Sequence, residues 1–299
     1  MKPLAGKYTY NDEQQQLLEK LADELLPLQW VRNFLVSNHL PETFVYFHLA
    51  DFLVAKKALD LCAGCKSLEN CVQASPGYRL CPEYDEGQFA LTLLACDYQQ
   101  RQDAKLAHLD YFVVRDYPLP LAELSLTRMG EVDTNFKNTV NTVYKAISSK
   151  QNAYLYGAFG VGKTYLAAII ANTTAALKKT VAFCHVPSLA RETDQYRFDK
   201  EWLASHTDLL ESADLLVLDD IGAEIASAFF RDGVLLPVLD RRMIEHRPVL
   251  YTANLNPAAL QVLYSSQSRN QDSMSAPRLL ERIKTNTVIL EMKGRNRRE

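Results

Sequence analysis

A chain of 299 residues is long enough for about two domains, at about 150 residues per domain. Hydrophobic residues make up 47% and charged residues 23%, which is typical of a soluble globular protein, and no apolar run of about 18 residues is present to span a bilayer. A net charge of −3 excludes nucleic-acid binding by bulk positive charge, so any DNA contact must come from a local patch. The N-terminus lacks an apolar signal segment, which predicts a cytoplasmic protein with no membrane partner.

The N-terminal part of the chain predicts a small, helix-rich domain, which we place at 1–105. Apolar residues recur at helical spacing over 11–36, and Pro27 divides this stretch into two helices, of which the first begins at Asn11. A further helix is expected over 43–61. The apolar face of these helices either closes a local core or docks a partner protein, and the pattern favours the core.

A cluster of cysteines lies in this domain. Five cysteines fall between positions 62 and 96, namely Cys62, Cys65, Cys71, Cys81 and Cys96. In a reducing cytosol such a cluster binds metal more often than it forms disulfides, and a CxxC turn suits the tetrahedral thiolate shell of Zn²⁺. We therefore predict a structural zinc site made by four of these five thiols.

The spacing leaves the ligand set open, because it does not identify the fifth cysteine. No histidine lies between 49 and 107, so a site made only of cysteines is expected. Buried free thiols and a redox-active CxxC pair are the alternatives. A redox pair is disfavoured because the surrounding sequence has no thioredoxin-like βαβ pattern.

A change in composition follows the cysteines. Residues 98–125 begin polar and charged and then contain Pro118 and Pro120, so we interpret 106–130 as an interdomain linker. A helix is expected over 135–148 at the entrance to a second domain, which we place at 131–299.

The second domain contains a phosphate-binding loop. The sequence GAFGVGKT over 157–164 matches the GxxxxGK[ST] pattern, with an apolar strand-like run before it and a helical pattern after it. Glycines allow backbone N–H groups to surround a phosphate, and the N-terminus of the following helix attracts the same anion. Lys163 is expected to bridge the β- and γ-phosphates of ATP, and the Thr164 hydroxyl to ligate Mg²⁺.

A second apolar run ends in two carboxylates. Residues 214–218 are followed by Asp219 and Asp220, which is typical of a Walker B strand beside a phosphate loop. We expect Asp219 to hold Mg²⁺ and Asp220 to polarise the attacking water, with Glu224 as a second candidate for the base. The predicted nucleotide-binding residues are Gly157, Ala158, Phe159, Gly160, Val161, Gly162, Lys163, Thr164, Tyr165 and Asp219.

Further polar residues could contact the nucleotide, either in the same chain or in a neighbouring chain. A strand over 248–254 ends at Asn254, which could orient the lytic water or could simply be a turn residue. A helix near the C-terminus carries Arg278 and Arg282 one turn apart, and Arg282 could reach the nucleotide of a neighbouring chain. Arg241 and Arg242 are other candidates for that role.

The segments YLYGAFGVGKTYL, VLDDIGAE, YTANL and PRLLERI, in this order, resemble the AAA+ ATPases of the bacterial helicase-loader branch. With the cysteine-bearing N-terminal domain added, the whole chain is similar to the DnaI-type primosomal helicase loaders. The resemblance implies an AAA+ P-loop parallel sheet with flanking helices and a small zinc-binding N-terminal domain that binds the hexameric replicative helicase. It also implies single-stranded DNA as a partner and assembly into a homo-oligomer.

The resemblance also implies roles for individual residues. Asn254 corresponds to sensor 1, Arg282 to an arginine finger acting in trans, and Arg295 is the candidate for sensor 2. The family's zinc site includes a histidine, whereas this segment offers cysteines only. ATP hydrolysis is expected to be slow and regulatory.

Three alternatives share the phosphate loop. A transposition helper of the IstB type has the same ATPase core, but the cysteine-bearing domain argues against it. A small-molecule kinase would place its arginines in a lid over the acceptor, whereas here they cluster late in the chain. A non-catalytic adaptor switched by nucleotide is disfavoured because both acids of the Walker B strand are present.

Overall fold

The computed structural model describes residues 11–225, 227–267 and 275–294. These residues divide into two compact units, and the division lies between Ala104 and Lys105. Within the described ranges, no helix is both long and apolar enough to cross a membrane.

In its described residues, the N-terminal unit contains four helices followed by a β-hairpin, and it ends within a fifth helix. Their bounds are α1 (Asp12–Leu25), α2 (Gln29–Ser37), α3 (Thr43–Phe47), α4 (Leu49–Cys62), β1 (Tyr78–Asp85) and β2 (Gln88–Ala95). The predicted start at Asn11 is confirmed, because its side chain accepts a hydrogen bond from the Gln14 N–H while the Gln14 side chain accepts one from the Asn11 N–H. The predicted break at Pro27 is confirmed by the gap between α1 and α2.

The helices of this unit pack around an aromatic core. The Phe52 ring is fully buried, stacks on Trp30 and Phe89 at centroid distances of 5.8 Å each, and meets the edge of Phe34 at 5.5 Å. Phe89 comes from β2, so the hairpin shares this core with the helices. The sequence analysis did not predict the hairpin.

The C-terminal unit is built on a six-stranded sheet with strand order β3-β5-β6-β7-β4-β8 and parallel pairing throughout. The strands are β3 (Phe112–Arg115), β4 (Asn152–Tyr156), β5 (Val181–His185), β6 (Leu215–Asp219), β7 (Val249–Ala253) and β8 (Thr287–Glu291). Every residue of β6 and β7 is buried, as expected for parallel strands covered by helices on both faces. The predicted α/β parallel sheet is confirmed.

Helices connect these strands. Their bounds are α5 (Asp97–Leu106), α6 (Thr134–Ser148), α7 (Lys163–Ala176), α8 (Val186–Gln195), α9 (Lys200–Ser212), α10 (Leu236–Ile244), α11 (Pro257–Gln267) and α12 (Ser275–Lys284). A π-helix over Phe229–Leu235 runs directly into α10, and short 3₁₀ helices cover Ala107–Tyr111 and Leu119–Leu121. The predicted helix over 135–148 is confirmed as α6.

The predicted linker over 106–130 is corrected by the structure. Its residues 112–115 form β3, which pairs with β5 at one edge of the sheet, and Tyr117 and Ala122 are buried in the core beneath α7. The two prolines suggested a linker, but the apolar residues on either side of them, Tyr117 and Ala122, are buried in the core of the C-terminal unit.

One arginine joins several elements at the edge of the sheet where the strands begin. Arg242, on α10, is fully buried, and its guanidinium donates hydrogen bonds to the carbonyl oxygens of Leu210, Glu211, Ala213 and Pro248. Burial lowers its pKa to about 10, so the group is still charged at neutral pH. Arg242 thereby fixes the end of α9 against the start of β7.

Arg242→Ala should destabilise the protein strongly, because several buried carbonyl groups lose their donor and hydrogen bonds to charged groups contribute about 1.5–3 kcal/mol each. The neighbouring Arg241→Ala is the matched control, since Arg241 is 58% exposed and pairs only with Glu245 among its described contacts. Urea unfolding of both variants tests this, and equal midpoints for the two would contradict the assigned role of Arg242.

Candidate functional site: a phosphate loop at the carboxyl edge of the sheet

The loop between β4 and α7 has the geometry that its glycines predict. Gly157, Gly160 and Gly162 have φ angles of +153°, +77° and +99°. A Cβ atom on Gly157 would clash with the carbonyl oxygen of Met292, so glycine is required there. Gly162 is the N-cap of α7 and leaves the N–H groups of its first turn open to an anion.

The Lys163 side chain lies inside this loop. Its ammonium nitrogen donates to the carbonyl oxygens of Gly157 at 2.9 Å and Ala158 at 2.8 Å, and to Oδ1 of Asn254 at 2.8 Å. Lys163 is only 9% exposed. The structure therefore brings together the predicted phosphate-binding lysine and the predicted sensor asparagine.

The other loop residues lie around this centre. Val161 is buried in the core, the Phe159 side chain is 74% exposed, and the Tyr165 hydroxyl donates to the carbonyl oxygen of Met129 at 2.8 Å. Phe159 and Tyr165 both line the cavity described below.

The two predicted magnesium ligands are in direct contact. The Thr164 hydroxyl donates to the Asp219 carboxylate, at 3.0 Å from Oδ1 and 3.1 Å from Oδ2. The Thr252 hydroxyl also donates to Oδ1 of Asp219, at 2.6 Å. Burial of Asp219 raises the pKa of its carboxyl, and the hydrogen bonds from Thr252 and Thr164 oppose that rise.

Asp220 is held beside this pair in an unusual backbone conformation. Its φ angle is +61°, which is uncommon for a residue with a side chain. The Asp220 N–H donates to the Thr252 hydroxyl at 2.9 Å, and Asn254 Nδ2 donates to Oδ1 of Asp220 at 2.8 Å. The Asn254 amide therefore connects Lys163 to the predicted catalytic carboxylate.

These groups border one cavity of about 760 Å³ at the carboxyl edge of the sheet. Lys163, Thr164, Asp219, Asp220 and Asn254 all line it. A volume of this size suits a small-molecule ligand.

Glu224, the second candidate for the base, lies outside the lining of this cavity as the described residues define it. It is 3% exposed, accepts a hydrogen bond from the Gly222 N–H at 2.7 Å and another from the Tyr264 hydroxyl. Burial raises the pKa of the Glu224 carboxyl. These hydrogen bonds stabilise the loop after Asp220. Because Glu224 is buried away from the cavity lining, the structure favours Asp220 over Glu224 as the base.

The arginine candidates have different surroundings. Arg282 pairs with Asp240 of the same chain and is 28% exposed, and the hydrogen bond from this pairing raises the pKa of its guanidinium. Arg278 is exposed on the same helix. The expectation that Arg242 could reach a neighbouring chain is wrong, because its side chain is fully buried. Arg295 lies outside the described residues.

Four of the five clustered cysteines border one small cavity in the N-terminal unit. Cys62, Cys65, Cys71 and Cys96 line a space of about 160 Å³, and Cys81 lies on β1 outside the described lining. Hydrogen bonds from the backbone of Gly77 and Gln73 lower the pKa of the Cys71 thiol. Among the described residues, however, no group of three or more potential ligands is arranged so that it could hold a metal ion. The arrangement of side chains therefore does not by itself support the predicted zinc site.

Sequence reasoning missed several residues of the cavity. Thr252 lies two positions before Asn254, and a hydroxyl inside an otherwise apolar strand was the available signal. Asp116 directly follows β3, and His185 is the last residue of β5. The His185 N–H donates to the Asp116 carboxylate at 3.2 Å. Asp116 was missed because its segment was interpreted as a linker.

Comparison with known proteins identifies the family of the chain. A family model described as IstB-like ATP binding protein matches residues 92–299. The chain belongs to this family. The IstB-like match covers the phosphate loop and all six strands of the sheet, in agreement with the AAA+ P-loop fold described above.

Individual relatives extend the likeness beyond the IstB-like segment. The replicative helicase loader DnaI of Bacillus subtilis (strain 168) is 27% identical over 297 residues, which is 95% of this chain and 94% of that protein. A crystal structure of DnaI is 29% identical, with a TM-score of 0.52, and covers 64% of this chain and 98% of its own. The predicted resemblance to helicase loaders is confirmed by these relatives.

A further solved structure supports the fold of this family member. A Streptococcus pyogenes serotype M3 protein described as a primosome component is 24% identical, with a TM-score of 0.50. The match covers 66% of this chain and the whole of that chain. At this identity the likeness concerns the fold alone.

Proposed function

We propose that the protein is an ATP-dependent loader of the replicative helicase. It binds the hexameric helicase through the N-terminal domain, residues 1–105, and delivers it onto single-stranded DNA during primosome assembly. The observation that carries this proposal is the similarity to a helicase loader over 95% of the chain, because this length includes both units.

ATP binds in the cavity at the carboxyl edge of the sheet. The N–H groups of the loop over 157–164 and the first turn of α7 surround the phosphates. Lys163 then exchanges its carbonyl partners for the β- and γ-phosphates, which are better partners because they carry negative charge. Thr164 and Asp219 would hold Mg²⁺, which neutralises charge on the phosphates when bound.

Hydrolysis depends on Asp220 and Asn254. Asp220 orients and polarises the attacking water, and the hydrogen bond from Asn254 fixes its carboxylate. Asn254 also contacts the Lys163 ammonium, so it lies between the phosphate-binding lysine and the base. Such a site supports slow hydrolysis that times the release of a partner.

Assembly of several copies completes the site. Arg282 lies on α12 and is partly exposed, and its acidic partner Asp240 is 40% exposed. A neighbouring protomer's ATP would compete with Asp240 for this guanidinium, so that Arg282 acts in trans while Arg278 lies beside it. ATP would thereby favour the homo-oligomer.

A transposition helper of the IstB type is the second candidate, and the family match favours it. That match begins at residue 92, however, and leaves out most of the N-terminal unit. The similarity to DnaI includes that unit, so we prefer the loader.

We further propose that the N-terminal unit binds one Zn²⁺ through Cys62, Cys65, Cys71 and Cys96. Two observations support this proposal. Four thiolates are a ligand set that Zn²⁺ prefers, and these four cysteines all border one cavity. Binding would require these side chains to reorient, because the described residues contain no group of three or more potential ligands arranged to hold a metal ion. Zinc would fix the end of α4 relative to the start of α5 and stabilise this small unit.

Lys163→Ala should abolish ATP binding, because the loop loses the charge that holds the phosphates. Asp220→Ala should leave ATP affinity within a few-fold of the parent and lower the hydrolysis rate by about 10²–10⁴-fold. Asp208→Ala, which removes an exposed acid on α9, is the control. Calorimetric titration and phosphate release measure the two quantities, and robust hydrolysis by Asp220→Ala would overturn the role of that residue.

The full chain should form a stable complex with the replicative helicase of the same cell, measured by size exclusion with light scattering. A fragment of residues 105–299 should not, because the proposed contact lies in the other unit. Equal binding by this fragment would refute the assignment to the N-terminal domain. Failure of the full chain to bind, with ATP present, would refute the loader proposal itself.

Protein purified without chelators should contain about one zinc per chain, the count expected for a single four-thiolate site. Cys62→Ser should lower that content, whereas Cys184→Ala should not, because Cys184 is buried in β5 of the other unit. Elemental analysis measures the metal, and an absence of zinc in the parent protein would reject the site.

A further inference from the structure

A segment that lies mostly within the predicted linker over 106–130 lines part of the cavity proposed to bind nucleotide. We call residues 116–132 the strap. Five strap residues line the cavity together with residues of the phosphate loop, namely Asp116, Pro118, Leu121, Glu131 and Val132. The cavity is therefore shared by the loop over 157–164 and the strap.

The chemistry of the strap suits the nucleoside part of a nucleotide. Pro118, Leu121 and Val132 are apolar and match a flat aromatic base. Asp116 and Glu131 would repel phosphates, and their carboxylates can accept hydrogen bonds from hydroxyl or amino groups. Since the loop and Lys163 attract the phosphates, the base and ribose are left to the strap.

The strap is tied to α7 by one buried amide. Asn172 is 1% exposed, and its Oδ1 accepts a hydrogen bond from the Tyr117 hydroxyl at 2.5 Å. Its Nδ2 donates to the carbonyl oxygens of Leu121 at 2.8 Å and Leu124 at 2.9 Å. The acceptor and both donor hydrogens of this side chain are thus used by the strap.

Two further hydrogen bonds connect the strap to the same helix. The Thr173 hydroxyl accepts a hydrogen bond from the Leu126 N–H at 3.2 Å, and the Tyr165 hydroxyl donates to the Met129 carbonyl oxygen at 2.8 Å. The strap is therefore fixed to the helix whose N-terminus forms the phosphate site.

Asn172 lies far from the phosphate loop along α7. It lies nine residues after Lys163 on α7, which is about 14 Å along the axis at 1.5 Å per residue. It is not among the described residues that line the cavity. An effect of Asn172 on nucleotide binding is therefore indirect, and it would pass either through the strap or along α7 to the phosphate loop.

We propose that Asn172 is a positioning residue for nucleotide recognition, which holds the strap on α7 so that the strap forms the binding wall for the ribose and base of ATP. This inference rests on the proposed ATP-binding function. It divides the affinity for ATP into two separable parts, one from the phosphate loop and one from the strap.

The test compares ATP with inorganic tripolyphosphate, both with Mg²⁺, by calorimetric titration of the full chain. Asn172→Leu should weaken ATP binding by about tenfold, because a displaced strap would lose a contact to the base or ribose with a net free energy of about one hydrogen bond. Tripolyphosphate, which has no base or ribose, should bind the variant and the parent equally.

Tyr117→Phe removes only the hydroxyl that donates to Asn172 and keeps the ring. It is therefore the second test variant, used if Asn172→Leu does not fold. It should shift ATP affinity in the same direction and spare tripolyphosphate. The control is Thr174→Val, because the Thr174 hydroxyl is buried on the same helix but donates to Ile170 of that helix. This control should change neither affinity.

Loss of affinity for both ligands together would show that the variants damage the phosphate loop, and would overturn the proposal. Unchanged ATP affinity in both variants would also overturn it. A parent protein that binds neither ligand would instead refute the proposed function on which the inference rests.

Discussion

The position of the Lys163 ammonium group governs the geometry of the candidate site. A buried ammonium is stable only when hydrogen bonds replace its water, and here the acceptors are the carbonyls of Gly157 and Ala158 and the amide of Asn254. These acceptors belong to the loop after β4 and to the end of β7. The lysine therefore joins neighbouring strands and keeps a positive charge where the loop can receive an anion.

The polar groups of the site form one continuous hydrogen-bonded chain. In order, its members are Lys163, Asn254, Asp220, Thr252, Asp219 and Thr164. The chain closes on itself because Lys163 and Thr164 are adjacent in sequence. A change at the phosphates that moves Lys163 would therefore also affect the Asp220 carboxylate, which gives nucleotide binding a direct route to the proposed catalytic group.

The parts of the site that the sequence predicted are those fixed by local rules. The loop over 157–164 and the acids after β6 follow from spacing and from an apolar strand, and the structure brings Lys163, Asp220 and Asn254 together as expected. The strap was missed because its hydrogen bonds and core contacts are made with α7, which lies about 50 residues further along the chain. Arg242 was misjudged because only the folded chain brings enough carbonyl groups around it to bury a guanidinium.

The most direct measurement is a crystal structure of the full chain with Mg²⁺ and a non-hydrolysable ATP analogue. We expect the triphosphate inside the loop over 157–164, with the Lys163 ammonium moved from the carbonyls of Gly157 and Ala158 to the phosphates. We also expect the metal beside Thr164 and Asp219. A nucleotide bound elsewhere, with Lys163 still on those carbonyls, would contradict the assignment of this cavity as the ATP site.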